Sequence, residues 1–314
     1  MNRVLGTSLI GILGIAGAIA FGSQSRWHAE PIEAAPVSGV VAADPVLVAF
    51  SDVPDDLDGA AFERVMQKAI AAEWKERDFG ALVQNVAEQF LGAEYVDGML
   101  DRAESEELVL SLTKFDCVLF VETVLAMARS IVAQDYTYAG FGDRVETQRY
   151  RGGDRDDYCS RLHYFSEWID DNRKRGYLAS GVTDLTSQSL DKTLNFMTEN
   201  RSKYARLASN DANFQCISQM EANLRSLDLQ YVPTANVRNQ YSAIQAGDVI
   251  AIATEISGID VTHSGLAYAQ PDGSMGFIHA APGIGAIVAE DLQTYVERVP
   301  SAIGIVVARP HAGG

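Results

Sequence analysis

Phe115-Asp116-Cys117-Val118-Leu119-Phe120-Val121-Glu122-Thr123-Val124-Leu125-Ala126-Met127-Ala128-Arg129 is the stretch that decides how this chain folds. Almost every residue after Cys117 is apolar, so as a helix the stretch is buried on all sides rather than along one stripe. Asp116 is a natural N-cap, because its carboxylate can accept from the backbone N–H groups of the first turn. Arg129 suits the negative end of the last turn. Cys117 then falls in the first turn of a buried helix. There the helix dipole and backbone N–H groups favour a thiolate, which predicts a lowered thiol pKa and a nucleophile. The competing reading makes Cys117 one more small apolar residue of a core.

C-terminal to this helix the hydrophobic period changes. From residue 246 onward it is that of strands rather than helices: 248–254, 263–268, 275–279, 286–289 and 303–308, with one helix over 291–299. Pro271-Asp272-Gly273 marks the turn of a hairpin. His263 and His279 are symmetric about that turn, so in a simple hairpin they are opposite or nearly so on one face, with Cβ atoms about 5 Å apart. Two of the chain's five histidines on one sheet face are more than core packing calls for. A thiol nucleophile needs a base in reach, and the base needs a third group to fix its tautomer. Cys117, His263 and His279 supply nucleophile, base and orienting residue. Two other readings stand beside this one. The histidines can each be core residues bonded to carbonyls, or the three can be zinc ligands, though no C-x-x-C or H-x-x-x-H pair supports a metal.

Before the helix, residues 57–79 and 81–91 carry helical patterns, and 92–98 read as a loop containing Tyr95. After it, 136–157 is polar and interrupted by glycine, 160–169 reads as a helix with an aromatic face, and 194–207 and 211–227 read as further helices. Helices first and an antiparallel meander afterwards give an α+β fold. The N-terminus carries a short basic start, an apolar run from Val4 to Phe21 and an Ala18-Ile19-Ala20 site. Residues 1–21 therefore read as an export signal, or as an anchor if uncleaved. Residues 22–57 read as a linker, and 58–314 as one domain with a helical insertion at about 136–232. Three cysteines are an odd number for an exported chain. Cys117 is the candidate free thiol, while Cys159 and Cys216 either pair or remain two buried thiols. With 42 acidic against 25 basic residues, the formal charge of −17 argues against a nucleic-acid partner or an anionic membrane surface.

Taken together, these residues resemble the NlpC/P60 superfamily of papain-like cysteine peptidases. They resemble more closely its amidase branch, known as domain of unknown function 1460 (DUF1460). The resemblance rests on Phe115-Asp116-Cys117-Val118 with Phe120-Val121-Glu122, on Ser160-Arg161-Leu162-His163-Tyr164-Phe165 and on Gly247-Asp248-Val249-Ile250. It continues through Gly258-Ile259-Asp260-Val261-Thr262-His263-Ser264-Gly265 and His279-Ala280, spanning about residues 80–310. It implies a papain-like core with a buried nucleophile helix packed on an antiparallel sheet, plus extra helices. Cys117 is then the nucleophile, His263 the general base and His279 the third member. The resemblance also implies that Tyr95 faces the cysteine and helps hold the oxyanion or the substrate, the oxyanion hole then combining its hydroxyl with the Cys117 backbone N–H.

The same resemblance suggests that Arg161 and His163 read polar or anionic groups of a ligand; the alternative is an amphipathic helix with its arginine in a structural ion pair. Asp116 either caps the helix, with Glu122 structural beside it, or meets a substrate amine. Leu119 stands where the family usually has Thr and Ala281 where Ser is common, which points to altered substrate contacts. No metal or organic cofactor is required. The implied partner is peptidoglycan or its muropeptide fragments, cut preferentially between N-acetylmuramic acid and L-alanine, in the periplasm or cell envelope. A non-catalytic muropeptide-binding module and a cysteine acyltransferase are the alternative functions.

Overall fold

The computed structural model describes residues 50, 52–179 and 185–313. The expected export signal and most of the expected linker lie outside the described residues. The first half contributes α1 (Leu57–Ala71), α2 (Phe79–Glu88), β1 (Glu94–Tyr95), β2 (Lys114–Phe115), α3 (Cys117–Ala133), α4 (Tyr138–Arg149) and α5 (Phe165–Lys174). Then come β3 (Gln188–Ser189), α6 (Phe196–Glu199), α7 (Ala205–Ala208), α8 (Asp211–Leu224) and β4 (Gln230–Pro233). The last part holds β5 (Val249–Thr254), β6 (Val261–Ala269), β7 (Met275–Ala281), β8 (Gly285–Ala289), α9 (Leu292–Arg298) and β9 (Ala302–Ala308).

The central helix forms as its sequence requires. Asp116 Oδ1 accepts from the backbone N–H of Val118 at 3.0 Å and of Leu119 at 2.8 Å, and every residue from Cys117 to Ile131 is buried. Each large apolar side chain so buried stabilises the fold by about 1.5–3 kcal/mol. The helix runs past Arg129 and stops at Gln134, whose left-handed backbone (φ 53°) lets its N–H reach Ile131 O and Ser130 O. Arg129 is therefore not in the last turn. It is buried, and its guanidinium donates to His311 O at 3.1 Å, Gln148 Oε1 at 2.9 Å and Tyr177 O at 3.1 Å. It serves as a tie between segments rather than a partner of the helix dipole.

Seven strands form an antiparallel sheet in the order β3-β4-β9-β5-β6-β7-β8, and β1 and β2 form a separate parallel pair. One sheet face, with Val249, Ala251, Leu266, Ile278 and Ala280, joins the core around α3. The other, with Ile250, Ile252, Ala267, Phe277 and Ile305, is covered by Leu292 and Val296 of α9. Covering both faces explains why β5 is buried along its whole length and reads as a continuous apolar run.

Three stretches of the helical half add to or depart from the sequence reading. Residues 138–149, within the stretch read as polar and interrupted by glycine, form α4. Residues 160–164 are not helical: Ser160 closes a turn on Asp157, Arg161 bridges Tyr150, and α5 begins only at Phe165. The run at 194–207 is broken into α6, α7 and a 3-10 turn between them.

The histidine hairpin is offset from the simplest expectation. Leu266 pairs with Ile278 and Ala267 with Phe277, so the turn centres one residue later and the two histidines lie diagonally rather than directly opposite. Gly265 makes the diagonal possible. A Cβ there would lie 2.7 Å from each of His279 Cβ, Ile278 O and Phe277 Cε2. Gly265→Ala is expected to destabilise the protein by about 1–3 kcal/mol through overpacking and to push His279 away from His263. Thermal unfolding checks the first effect, and the pair of imidazole NMR signals checks the second.

Candidate active site

Three pieces of chain meet at the N-terminus of α3. The cap places Cys117 in its first turn, and Ser264 Oγ of β6 donates to Cys117 O at 3.3 Å. That contact fixes the helix end against the strand residue that follows His263. The parallel pairing of Tyr95 with Phe115 brings the tyrosine alongside the residues that lead into the helix. Loop 92–98 is held in turn by β8, through Gly92 N to Ala286 O at 2.8 Å and Ala286 N to Ala93 O at 2.9 Å. The Tyr95 hydroxyl is buried with no hydrogen-bond partner among the described residues. Burial raises its pKa, and negative charge on Cys117 and then on Asp116 would raise it further.

His263 Nε2 lies 2.7 Å from His279 Nδ1, with the rings at 84°. His263 Nδ1 and His279 Nε2 are both buried without a hydrogen-bond partner among the described residues. The pair is walled by Phe277, stacked on His279 at 4.6 Å, and by Tyr295 of α9 at 4.7 Å from His279 and 6.2 Å from His263. Burial raises the Tyr295 hydroxyl, and so does the charge on Cys117, so the thiol and the histidine pair share this neighbour. Tyr295 was not singled out from the sequence. In the short helix that carries it, a tyrosine reads as ordinary core, and only the fold brings it to Cys117.

The electrostatics reverse one expectation. Burial, and then the Asp116 carboxylate, push the Cys117 thiol up to about 12, against hydrogen bonds with Ser264 that lower it. The helix end does not outweigh the loss of water in this closed site. Burial alone takes His263 down to about 4, and burial, followed by the charge on His263, lowers His279 as well. The resting pair is thus neutral thiol and neutral imidazole. A base whose folded pKa is depressed stays unprotonated until the pH falls through that lowered value. The acid limb of kcat/KM should therefore lie nearer 4 than 6.5. Asp116 also titrates, raised to about 6 by burial, so the profile is best taken in Asp116→Asn, which keeps the cap. A limb at 6.5 or above in that variant would contradict the assignment of His263 as a desolvated base.

Arg161 and His163, expected to read a ligand, are both spent on protein partners. Arg161 Nη1 donates to Leu100 O at 2.6 Å and Nη2 to Asp101 Oδ1 at 2.5 Å, with Glu106 3.6 Å away. His163 Nε2 meets Tyr158 O at 2.7 Å, and its ring packs on Tyr158 at 4.5 Å. Asp116 spends its carboxylate on the cap. Glu122 is paired with Arg149 at 2.7 Å inside the protein. Cys159 and Cys216 form a disulfide, and Cys117 is the cysteine outside it. Among the described residues, no group of three or more His, Cys, Asp or Glu is arranged to hold a metal ion. Nor is any described helix long and apolar enough to cross a membrane.

Residues 85–305 match the protein family described as AmiA-like, N-acetylmuramoyl-L-alanine amidase-like. Crystal structures of an N-acetylmuramoyl-L-alanine amidase from Bacteroides uniformis ATCC 8492 are similar to this chain. One is 28% identical, covering 74% of this chain and 98% of the amidase with a TM-score of 0.69. Another is 27% identical, covering 74% and 99%, with the same TM-score of 0.69. A Legionella pneumophila protein assigned to DUF1460 shares the fold at 20% identity, covering 80% of this chain and 94% of its own, with a TM-score of 0.58. No curated protein sequence matches.

Proposed function

This chain belongs to the AmiA-like, N-acetylmuramoyl-L-alanine amidase-like family, and from that premise we propose that it hydrolyses an amide bond of peptidoglycan through Cys117. The bond between N-acetylmuramic acid and L-alanine is the preferred target, as the name of the Bacteroides uniformis relative suggests. The capped α3 on its antiparallel sheet is read as the papain-like core of NlpC/P60 proteins. The disulfide supports an exported protein, since disulfides persist in oxidising compartments.

The observation that carries this reading is the 2.7 Å contact between His263 Nε2 and His279 Nδ1. For His263 to accept a proton at Nδ1, its own hydrogen must sit on Nε2 and be donated to His279 Nδ1. His279 then carries its hydrogen on Nε2. This is the tautomer a base requires, held by a third residue as in other nucleophile–base sites. A neutral imidazole in the third position adds no negative charge, which fits a base whose pKa is lowered rather than raised.

In the reaction the Cys117 sulfur attacks the amide carbonyl carbon as its proton passes to His263 Nδ1. The oxyanion of the tetrahedral intermediate is held by the Tyr95 hydroxyl and the Cys117 backbone N–H. His263 returns the proton to the departing amine, leaving a thioester. Water, deprotonated by His263, then releases the acid and restores the thiol. Because the thiol is held at about 12, the thiolate forms only as attack proceeds, and the oxyanion donors must stabilise the charge that develops.

Side-chain replacement tests the two histidine roles. His263→Ala should lower kcat by about 10³-fold or more, while His279→Asn, whose amide oxygen can still accept from Nε2–H, should lose roughly tenfold. A larger loss in His279→Asn than in His263→Ala, from single-turnover rates on muropeptides, would exchange the two assignments.

A further inference from the structure

The segment between Tyr95 and Lys114 is tied down at its ends, by the two residue pairs of β1 and β2 and by Asp58 of α1, which accepts from Leu112 N at 2.9 Å and Thr113 Oγ1 at 2.6 Å. Ladders that short do not order a loop by themselves. Between Leu100 and Val109 the polar ties of the loop come from the helical insertion. Arg161 grips Leu100 O and Asp101, as described. Arg206 Nη1 donates to Ala103 O at 3.1 Å and Ser105 O at 3.3 Å. Tyr150 Oη donates to Glu106 Oε1 at 3.0 Å and to Glu107 O at 3.3 Å, and Arg149 Nη1 to Val109 O at 2.6 Å. The backbone carbonyls of Leu100, Ala103, Ser105, Glu107 and Val109 are thus taken by side chains of one remote unit.

The two central arginines are built as a pair. Glu106 of the loop, its side chain 2% exposed, lies 3.6 Å from Arg161 and 3.7 Å from Arg206. The ring of Tyr158 packs against both guanidinium groups, at 5.1 Å and 4.8 Å. The next residue, Cys159, is bonded to Cys216 of α8, and Asn213 of α8 donates to Arg206 O at 3.2 Å. The disulfide therefore ties together the two chain segments that carry the arginines.

We propose that Arg161 and Arg206 are positioning residues for the loop that begins at Tyr95, and that the Cys159–Cys216 disulfide sets the spacing of this clamp. The clamp acts on catalysis through Tyr95, so its kinetic consequence rests on the oxyanion role given above. Its structural consequence does not. A clamped loop holds the Tyr95 hydroxyl where the oxyanion develops; a released loop lets it wander at little cost to the α3–sheet core. Substrate affinity is then nearly unchanged while the chemical step slows.

The test compares the full-length protein with Arg161→Met, Arg206→Met, Arg161→Lys and the double variant Cys159→Ser/Cys216→Ser. Two readouts are taken: amide hydrogen exchange, and kcat and KM on purified muropeptides. Arg161→Met and Arg206→Met should exchange loop amides 96–110 about tenfold faster or more, with α3 and β5–β6 unchanged. Their kcat should fall about tenfold or more with KM within roughly threefold. Arg161→Lys should recover part of both, and the double cysteine variant should move both in the same direction. If Arg161→Met does not fold, Arg206→Met and the double cysteine variant carry the same readouts. Loop exchange that stays at the parent rate in folded variants overturns the clamp, whether or not the parent turns over. A raised KM with unchanged kcat also overturns it, and would make Arg161 a substrate-binding residue. Faster loop exchange in a protein that never hydrolyses muropeptide would uphold the clamp and count against the hydrolase.

Discussion

Cys117→Ala should abolish turnover, lowering kcat by on the order of 10⁴–10⁶-fold, while the protein stays folded. Loss of chemistry and retention of the fold form two halves of this result. Chemically, in the proposed mechanism the Cys117 sulfur forms the acyl intermediate with help from His263, Tyr95 and the backbone N–H, and without the sulfur they have nothing to assist. Physically, the thiol is buried and, with its pKa held at about 12, resides in the protein as a neutral, compact group. Exchanging it for a methyl group removes one buried atom and no charge. The expected loss of stability is about 1 kcal/mol. Single-turnover kinetics with thermal unfolding of the same sample separates these halves. Residual turnover within tenfold of the parent would remove Cys117 from the mechanism.

The second large effect is on stability. Glu122 lies in the middle of α3 with its side chain 1% exposed, and its carboxylate accepts from Arg149 Nε of α4 at 2.7 Å. Trp168 Nε1 of α5 donates to the same carboxylate at 3.2 Å. Burial raises the carboxyl, opposed chiefly by the charge of Arg149. Glu122→Leu removes one partner and leaves the Arg149 guanidinium charged and buried, which costs about 3–5 kcal/mol. At 2–4 °C for each kcal/mol in a domain of this size, the melting temperature should fall by roughly 10 °C. Glu122→Leu/Arg149→Met should recover most of that, because a buried pair replaced as a pair by apolar side chains is often close to neutral. A fall of a degree or less in Glu122→Leu would show that the ion pair is not what joins α3 to α4 and α5.

These two residues also mark how far the sequence could be read. The stretch 115–129 announces its own helix, since it is apolar on all sides and opens on a capping aspartate. The change of period after residue 246 announces the sheet, and the turn at Pro271-Asp272-Gly273 announces the hairpin that brings two histidines together. Those are local signals. The offset of the hairpin was not local, because it depends on Gly265 giving up a side chain to the imidazole across from it.

Helix α4 was hidden for a related reason. Its inward residues include Gln148 and Arg149, which are buried only because Glu122 and Val109 O, distant in sequence, receive them. In the sequence such residues register only as polar and give no helical stripe. The start of α5 was misplaced because its first-turn amide, Ser166 N, is taken at 2.7 Å by Asp260, a residue from the far end of the chain. Tyr295 carried no signal at all. The Cys117 thiol was expected to be acidic from its place on a helix, and the structure reverses this because enclosure by α3, β6 and two tyrosines outweighs the dipole.

The central claim is that Cys117, with the histidine pair, cuts an amide bond of peptidoglycan. The measurement that tests it most directly is mass spectrometry of purified muropeptides incubated with the mature protein and, in parallel, with Cys117→Ala. The account predicts free disaccharide and intact stem peptide in the first reaction and unchanged muropeptide in the second. Unchanged muropeptide in both, across substrates that differ in stem peptide, would contradict it.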